Sequence, residues 1–214
     1  MNNFISNTVF IGRGIFLTLY LLVGSIFIGG ILGLIISVLR HLGIGKKFFN
    51  FFISVVRGTP VILQLSFVYF SVPGLLGIKF SVFLAGILTF GINSAAYIAE
   101  IIRAGIEALP KGQFEAARAL EIPLWYTWKD IILPQVFRNI FPALINEIVL
   151  VLKETALIAT IGGMDVMRFS QILAAEQFTY FMPLCIAAMY YYGMILFFEY
   201  ISYKIEQQGY HVKS

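Results

Sequence analysis

The sequence predicts an all-α integral membrane protein, a bundle of about five membrane-crossing helices with the N-terminus outside and the C-terminus in the cytoplasm. Two observations carry the class. The chain has 214 residues, 59% of them hydrophobic and 12% charged, against about 25% charged residues in ordinary soluble domains. A core of this size cannot hide so much apolar surface, so much of it must face lipid. The apolar residues also gather in runs of about 20, the length a helix needs to cross the hydrocarbon layer. Helices keep their backbone hydrogen bonding closed within the segment, which lipid demands.

Taken in order, residues 1–12 read as a short polar extracytoplasmic segment, 13–204 as the membrane domain and 205–214 as a cytoplasmic tail. The first apolar run, Ile15–Leu39, is too long for a signal peptide and lacks a clear small-residue cleavage site. Ser25, Gly29 and Gly33 recur every four residues on it, a spacing that lets another helix approach closely, though glycine is also simply tolerated in lipid. Lys46–Val56 is apolar with a basic start and reads as a segment lying in the membrane interface. The second span runs from Pro60 to Ile78, with Thr59 able to cap it and Pro60 at the first helical position, where no amide is needed. Further spans are Ser81–Ile102, Ala143–Gly162 and Phe181–Tyr203. The single cysteine, Cys185, lies in an apolar run and has no intrachain disulfide partner.

Charge sets the orientation. With the N-terminus outside, the outer segments carry Arg13, Lys79 and Arg168. The inner segments carry Arg40, Lys46, Lys47, Arg57, Arg103, Lys111, Arg118, Lys129, Arg138, Lys204 and Lys213, and Lys153 falls within a span. Cytoplasmic loops are the ones enriched in Lys and Arg. The formal charge of +4 comes from this bias, and no basic-aromatic motif points to nucleic acid.

The inner segment Arg103–Phe141 is the most informative. Pro110 and Gly112 break the third span's helix, and a short helix fits Gln113–Leu120, with Glu115 early and Arg118 late as the helix dipole favours. Its alanines, Ala116, Ala117 and Ala119, would let it seat deeply in a partner's groove, with Phe114 and Leu120 as apolar anchors. Pro123 ends it, Trp125, Tyr126 and Trp128 resemble an interfacial aromatic belt, and Pro134 starts or kinks the next helix. Glu115-Ala116-Ala117 followed by Ile132-Leu133-Pro134 resembles the EAA loop of ABC importer permeases. Arg57-Gly58-Thr59-Pro60, the run Asn93–Gly105 and Lys153-Glu154-Thr155-Ala156-Leu157 resemble the polar-amino-acid branch of that family. The resemblance covers roughly Gly12 to Gln207. It implies a type I permease fold in a bacterial cytoplasmic membrane, with Phe114, Glu115, Ala116, Ala117, Arg118 and Leu120 in a coupling helix that docks on an ATP-binding subunit. The family's pattern has a glycine where this chain has Glu121, which leaves the geometry of the helix exit open.

Polar residues in lipid need a partner or a watery path. Gln64 lies in the second span. Asn93 and Glu100 share a face of the third, with Tyr97 between them. In the fourth, Asn146 and Lys153 share one face, and Glu147 and Glu154 an adjacent one. Gln64, Asn93, Glu100, Glu147, Lys153 and Glu154 are therefore the candidates for holding or passing a substrate. A carboxylate facing a cavity could hold an ammonium or guanidinium, and Lys153 a carboxylate. They could equally be structural: Glu100 with Arg103, Glu147 with Arg138 or a partner chain, Lys153 with Glu154. His41 sits at an inner boundary and His211 in the tail, no cluster has metal-ligand spacing, and no phosphate-binding loop is present. ATP and Mg are thus expected in a partner subunit, and this chain is expected to have no cofactor and no catalytic chemistry. The resemblance also implies an extracytoplasmic amino-acid-binding protein and a second permease chain, identical or similar, with membrane lipid around them. The alternatives are an ion-coupled transporter or channel working without ATPase partners, or a membrane scaffold.

Overall fold

A computed structural model describes residues 2–210; Lys213 and His211 lie outside the described residues. The helices are α1 (Asn2–Gly12), α2 (Ile15–His41), α3 (Lys46–Gly58), α4 (Val61–Leu76), α5 (Val82–Glu107), α6 (Lys111–Ala119), α7 (Leu133–Glu154), α8 (Val166–Glu176) and α9 (Phe181–Tyr210). The described residues contain no strand. Three helical stretches are long and apolar enough to cross a bilayer: Phe4–His41, Val82–Glu107 and Phe181–Ile205. The pair α3 and α4, bent by 103°, is a fourth candidate.

Several boundaries differ from the sequence reading. The polar start of the chain is helical and nearly continuous with α2. The fourth expected span, Ala143–Gly162, is instead the end of α7 followed by a 3₁₀ segment, Thr155–Ile161. Here α7 begins ten residues earlier, at Leu133, and accepts Pro142 in its interior. At the 3₁₀ segment the Thr155 and Thr160 hydroxyls donate to the carbonyls of Leu152 and Leu157, three residues back, reinforcing the tighter winding. Widened π turns at Phe67–Ser71 and Thr127–Ile132 precede Pro73 and Pro134. Each proline ring would crowd the carbonyl four residues earlier, and a longer hydrogen-bond step relieves it.

The expected Thr59 cap is not formed. The Pro60 carbonyl takes the Leu63 and Gln64 amides, while the Thr59 hydroxyl donates to the Val55 carbonyl at 2.9 Å and accepts from Gln64 Nε2 at 2.9 Å. That bonding fixes the elbow between α3 and α4 rather than the helix start.

α2 and α5 form the central pair. Ser25, Gly29 and Gly33 are all buried on α2, as their spacing allows. A Cβ on Gly29 would stand 2.8 Å from Ser94 Cβ, and one on Gly33 2.9 Å from the Ala95 carbonyl oxygen. Next to this seam Leu21, Leu22, Leu65, Phe90, Leu152 and Ile158 make a shared core of α2, α4, α5, α7 and the 3₁₀ segment. At the end opposite α6, helices α1, α8 and α9 form a cap around Ile11, Val166, Leu173 and Ile186. Asp165 accepts from the Arg168 amide at 2.8 Å, capping α8, and from Tyr191 Oη at 2.9 Å.

Candidate functional site

Two polar groups stand on the inner faces of α4, α5 and α7. The first is amide-centred. Gln64 Nε2 donates to the Val56 carbonyl at 2.7 Å and to the Thr59 carbonyl at 3.1 Å, and Gln64 Oε1 accepts from Asn93 Nδ2 at 3.3 Å. The elbow of α3 and α4 is thereby tied to α5. On α7, Glu147 is buried with Ser94 of α5 beside it. Glu147 Oε1, Glu154 Oε2 and Ser94 Oγ are buried with no hydrogen-bond partner within the chain. A buried oxygen left unsatisfied costs about 1–3 kcal/mol, more if charged; the Ser94 hydroxyl can itself donate to the neighbouring Glu147, while the Glu154 oxygen has no donor within the chain.

The second group is ionic and sits nearer α6. Glu100 Oε1 accepts from Arg40 Nη1 at 2.6 Å, and its Oε2 from Arg103 Nη2 at 2.8 Å and Nε at 3.1 Å. Arg57 Nη1 is 3.7 Å from the same carboxylate, with its guanidinium 4.9 Å from the centre of the Tyr97 ring. Arg103 also pairs with Glu107 at 2.5 Å. One carboxylate thus joins α2, α3 and α5.

Of the six sequence candidates, the fold brings Gln64 and Asn93 into contact and sets Glu147 and Glu154 on the buried side of α7. Glu100 goes to the arginines, and Lys153, with Asn146, goes to the exposed side of α7. Among the described residues the ion pairs are those around Glu100 and Arg103. Glu147 with Arg138, and Lys153 with Glu154, are not among them. Sequence reasoning missed the roles of Arg40 and Arg57. Their signal was available: each is an arginine at the end of an apolar helix, with no acid nearby in sequence.

The helix α6 presents two faces. Ala117 is buried, and Phe114 packs on Trp128 with ring centres 5.9 Å apart, in a cluster with Leu109, Ile132 and Val136. Phe114 thus packs in part on its own chain, and the half-buried Trp128 meets Phe114 and His41 edge-on, with ring centres 5.9 and 5.0 Å apart. Glu115, Ala116, Arg118 and Leu120 are exposed. Just beyond, Glu121 holds φ 51°, the left-handed conformation that glycine adopts at helix exits.

The described residues contain no group of His, Cys, Asp and Glu able to hold a metal ion. The sequence profile of the family described as "Binding-protein-dependent transport system inner membrane component" matches residues 25–208. A putative glutamine transport system permease protein of Rickettsia conorii is 46% identical over 204 residues, covering 93% of this chain and 92% of its own length. An arginine transport system permease protein of Bacillus subtilis is 43% identical over 202 residues, covering 93% and 92%. The structure superposes on an amino acid ABC transporter crystallised with histidines, with TM-score 0.89 and 36% identity over 95% of this chain and 96% of that one. It also superposes on the inward-facing MetNI methionine ABC transporter, with TM-score 0.77 at 17% identity, a likeness of fold alone.

Proposed function

The chain belongs to the binding-protein-dependent transport system inner membrane components, and we propose that within this family it passes polar amino acids, neutral to cationic, across a bacterial cytoplasmic membrane. It is a multi-pass permease subunit of an ABC importer, and the ATPase activity resides in a separate subunit. The family membership removes the need for the ion-coupled and scaffold alternatives.

The observation that carries the substrate reading is the pair of buried carboxyl oxygens on Glu147 and Glu154 without a geometric hydrogen-bond partner, on the α7 helix that packs against α5, the helix bearing Asn93. Amide and carboxylate oxygens suit an ammonium, a guanidinium or a side-chain amide. The relatives named for glutamine and arginine transport fit that chemistry. In this reading α7 is a fifth crossing, polar on one side because it lines the path. Lys153 and Asn146, on its exposed side, face the path or a second permease chain, identical or similar. Glu100 and its arginines form the cytoplasmic mouth.

A loaded extracytoplasmic binding protein would dock on the outer end. Closure of the ATP-binding subunits, with ATP and Mg, would push on the exposed residues Glu115, Ala116, Arg118 and Leu120 of α6. Phe114 and Ala117 would pass the motion to α5 and α7 through the Trp128 cluster. Transport then follows from two states that the ligands bind with different affinity, exchanged by rigid-body movement.

The test is uptake by the complete importer in proteoliposomes, with glutamine, arginine and histidine competing. Glu147→Gln and Glu154→Gln should each lower uptake at least about tenfold, the size of one lost charge-assisted hydrogen bond, with the complex still assembled. Unchanged uptake in both variants would remove the carboxylates from the site.

A further inference from the structure

We infer that α3 is an in-plane membrane-surface helix whose partner is the anionic phospholipid leaflet on the cytoplasmic side. The inference rests on the orientation proposed above.

Three observations meet on this one helix. Its direction is the first. α3 turns by 103° from α4, so if α4 runs across the bilayer, α3 lies along its surface. The second is the division of its sides. Ile53 and Val56 are buried against Ile36 of α2 and Ala95, Ala96 and Ala99 of α5, with Phe49 and Phe52 packed beside them. Phe48, Phe51 and Val55 form an adjacent stripe at i, i+3 and i+7, and they remain 66%, 70% and 45% exposed. Lys46, Lys47, Asn50, Ser54 and Arg57 fill the remaining side, all exposed. An interfacial helix needs such a section: one flank on protein, one in the acyl boundary, and a polar side to water.

Charge is the third observation, and it selects the lipid. No acidic residue precedes Glu100 in the chain. Arg40 and Arg57 are drawn to Glu100. Lys46 and Lys47 form no ion pair among the described residues. They stand at the start of α3, where the helix dipole disfavours cations, so nothing within the chain rewards their position. A negatively charged leaflet does, by about 1 kcal/mol for each lysine near its surface. Phosphatidylglycerol or another anionic headgroup would neutralise the lysines while its acyl chains cover Phe48, Phe51 and Val55.

The experiment uses the complete importer in nanodiscs of phosphatidylcholine with and without phosphatidylglycerol, in a Cys185→Ala background. A nitroxide at Phe51→Cys or Val55→Cys should collide with oxygen and not with a water-soluble nickel chelate. The lipid shell retained on the complex, weighed by mass spectrometry, should be enriched in phosphatidylglycerol. Lys46→Gln with Lys47→Gln should lower that preference by about fivefold per lysine and roughly thirtyfold together, and Lys46→Arg with Lys47→Arg should keep it. A nitroxide that meets the chelate, or one shielded from both reagents by a covering protein, overturns the inference. So does an unchanged lipid preference in the glutamine variant. Sidedness in intact cells separates this failure from that of the orientation: an impermeant maleimide added outside that labels Lys47→Cys would overturn the orientation itself.

Discussion

Glu100→Gln should destabilise the subunit before it impairs substrate binding. The Glu100 and Arg40 side chains are 17% and 12% exposed, and the Arg40 Nε atom is already buried without a partner. Removing one member of a buried ion pair costs about 3–5 kcal/mol, because the other charge is stranded. Two of the three arginines have somewhere else to go: Arg103 keeps Glu107 and Arg57 keeps the Tyr97 ring. The loss therefore concentrates on Arg40, and the glutamine oxygen still offers it one acceptor. A value near the lower bound follows, about 3 kcal/mol, or more than a hundredfold in the folded population. The assay is a double-mutant cycle on the purified complex, comparing thermal inactivation of Glu100→Gln, Arg40→Leu and the pair. The pair should be less damaged than the sum of the single changes by at least about 1.5 kcal/mol, since contacting residues couple by about 0.5–3 kcal/mol. If Glu100→Gln is as stable as the parent while its KM for amino acid rises tenfold, Glu100 is a substrate ligand and not a structural tie among α2, α3 and α5.

Two further outcomes test the seam and the exit from α6. Gly33→Ala places a methyl 2.9 Å from the Ala95 carbonyl oxygen, whereas Gly30 has nothing within 4 Å. The first change should lower the melting temperature of the complex by an overpacking cost of about 1–3 kcal/mol, and Gly30→Ala should leave it unchanged or higher. Glu121→Gly should stabilise the complex by about 1 kcal/mol, because a left-handed residue with a side chain costs about 1–2 kcal/mol. Glu121→Ile should do the reverse, and equal melting points for the two variants would contradict the assigned backbone conformation.

The parts of the fold written in local spacing were readable in advance. Ser25, Gly29 and Gly33 mark the buried seam because a helix repeats its face about every four residues. Lys111–Ala119 was foreseen within two residues from Pro110 and the alanine run. The exit at Glu121 was left open by the departure from the family's glycine, and the structure gives it the left-handed conformation. What escaped depends on residues far apart in the chain. α1 looks like a polar coil by itself; it is held by contacts such as Phe10 on Phe169, 5.2 Å between ring centres, and the paired amides of Asn7 and Gln177. α8 carried a local signal that went unused, Asp165 as a cap followed by Val166, Phe169 and Leu173 on one face. In the candidate site, the polar residues were visible as residues that lipid would punish. Their sorting into an amide–carboxylate group and an arginine-ringed Glu100 came only with the elbow at Thr59, which no periodicity announces.

The lateness of that carboxylate shapes the birth of the molecule. Sixty positions separate Arg40 from Glu100, and at about 5–20 residues per second a ribosome needs roughly 3–12 s to bridge them. Through that interval the nascent chain offers only positive charge to the insertion machinery, unneutralised by any acid of its own. The clasp can shut only once α5 has emerged, so the tie between the arginines and Glu100 in the finished subunit joins early-made chain to late-made chain.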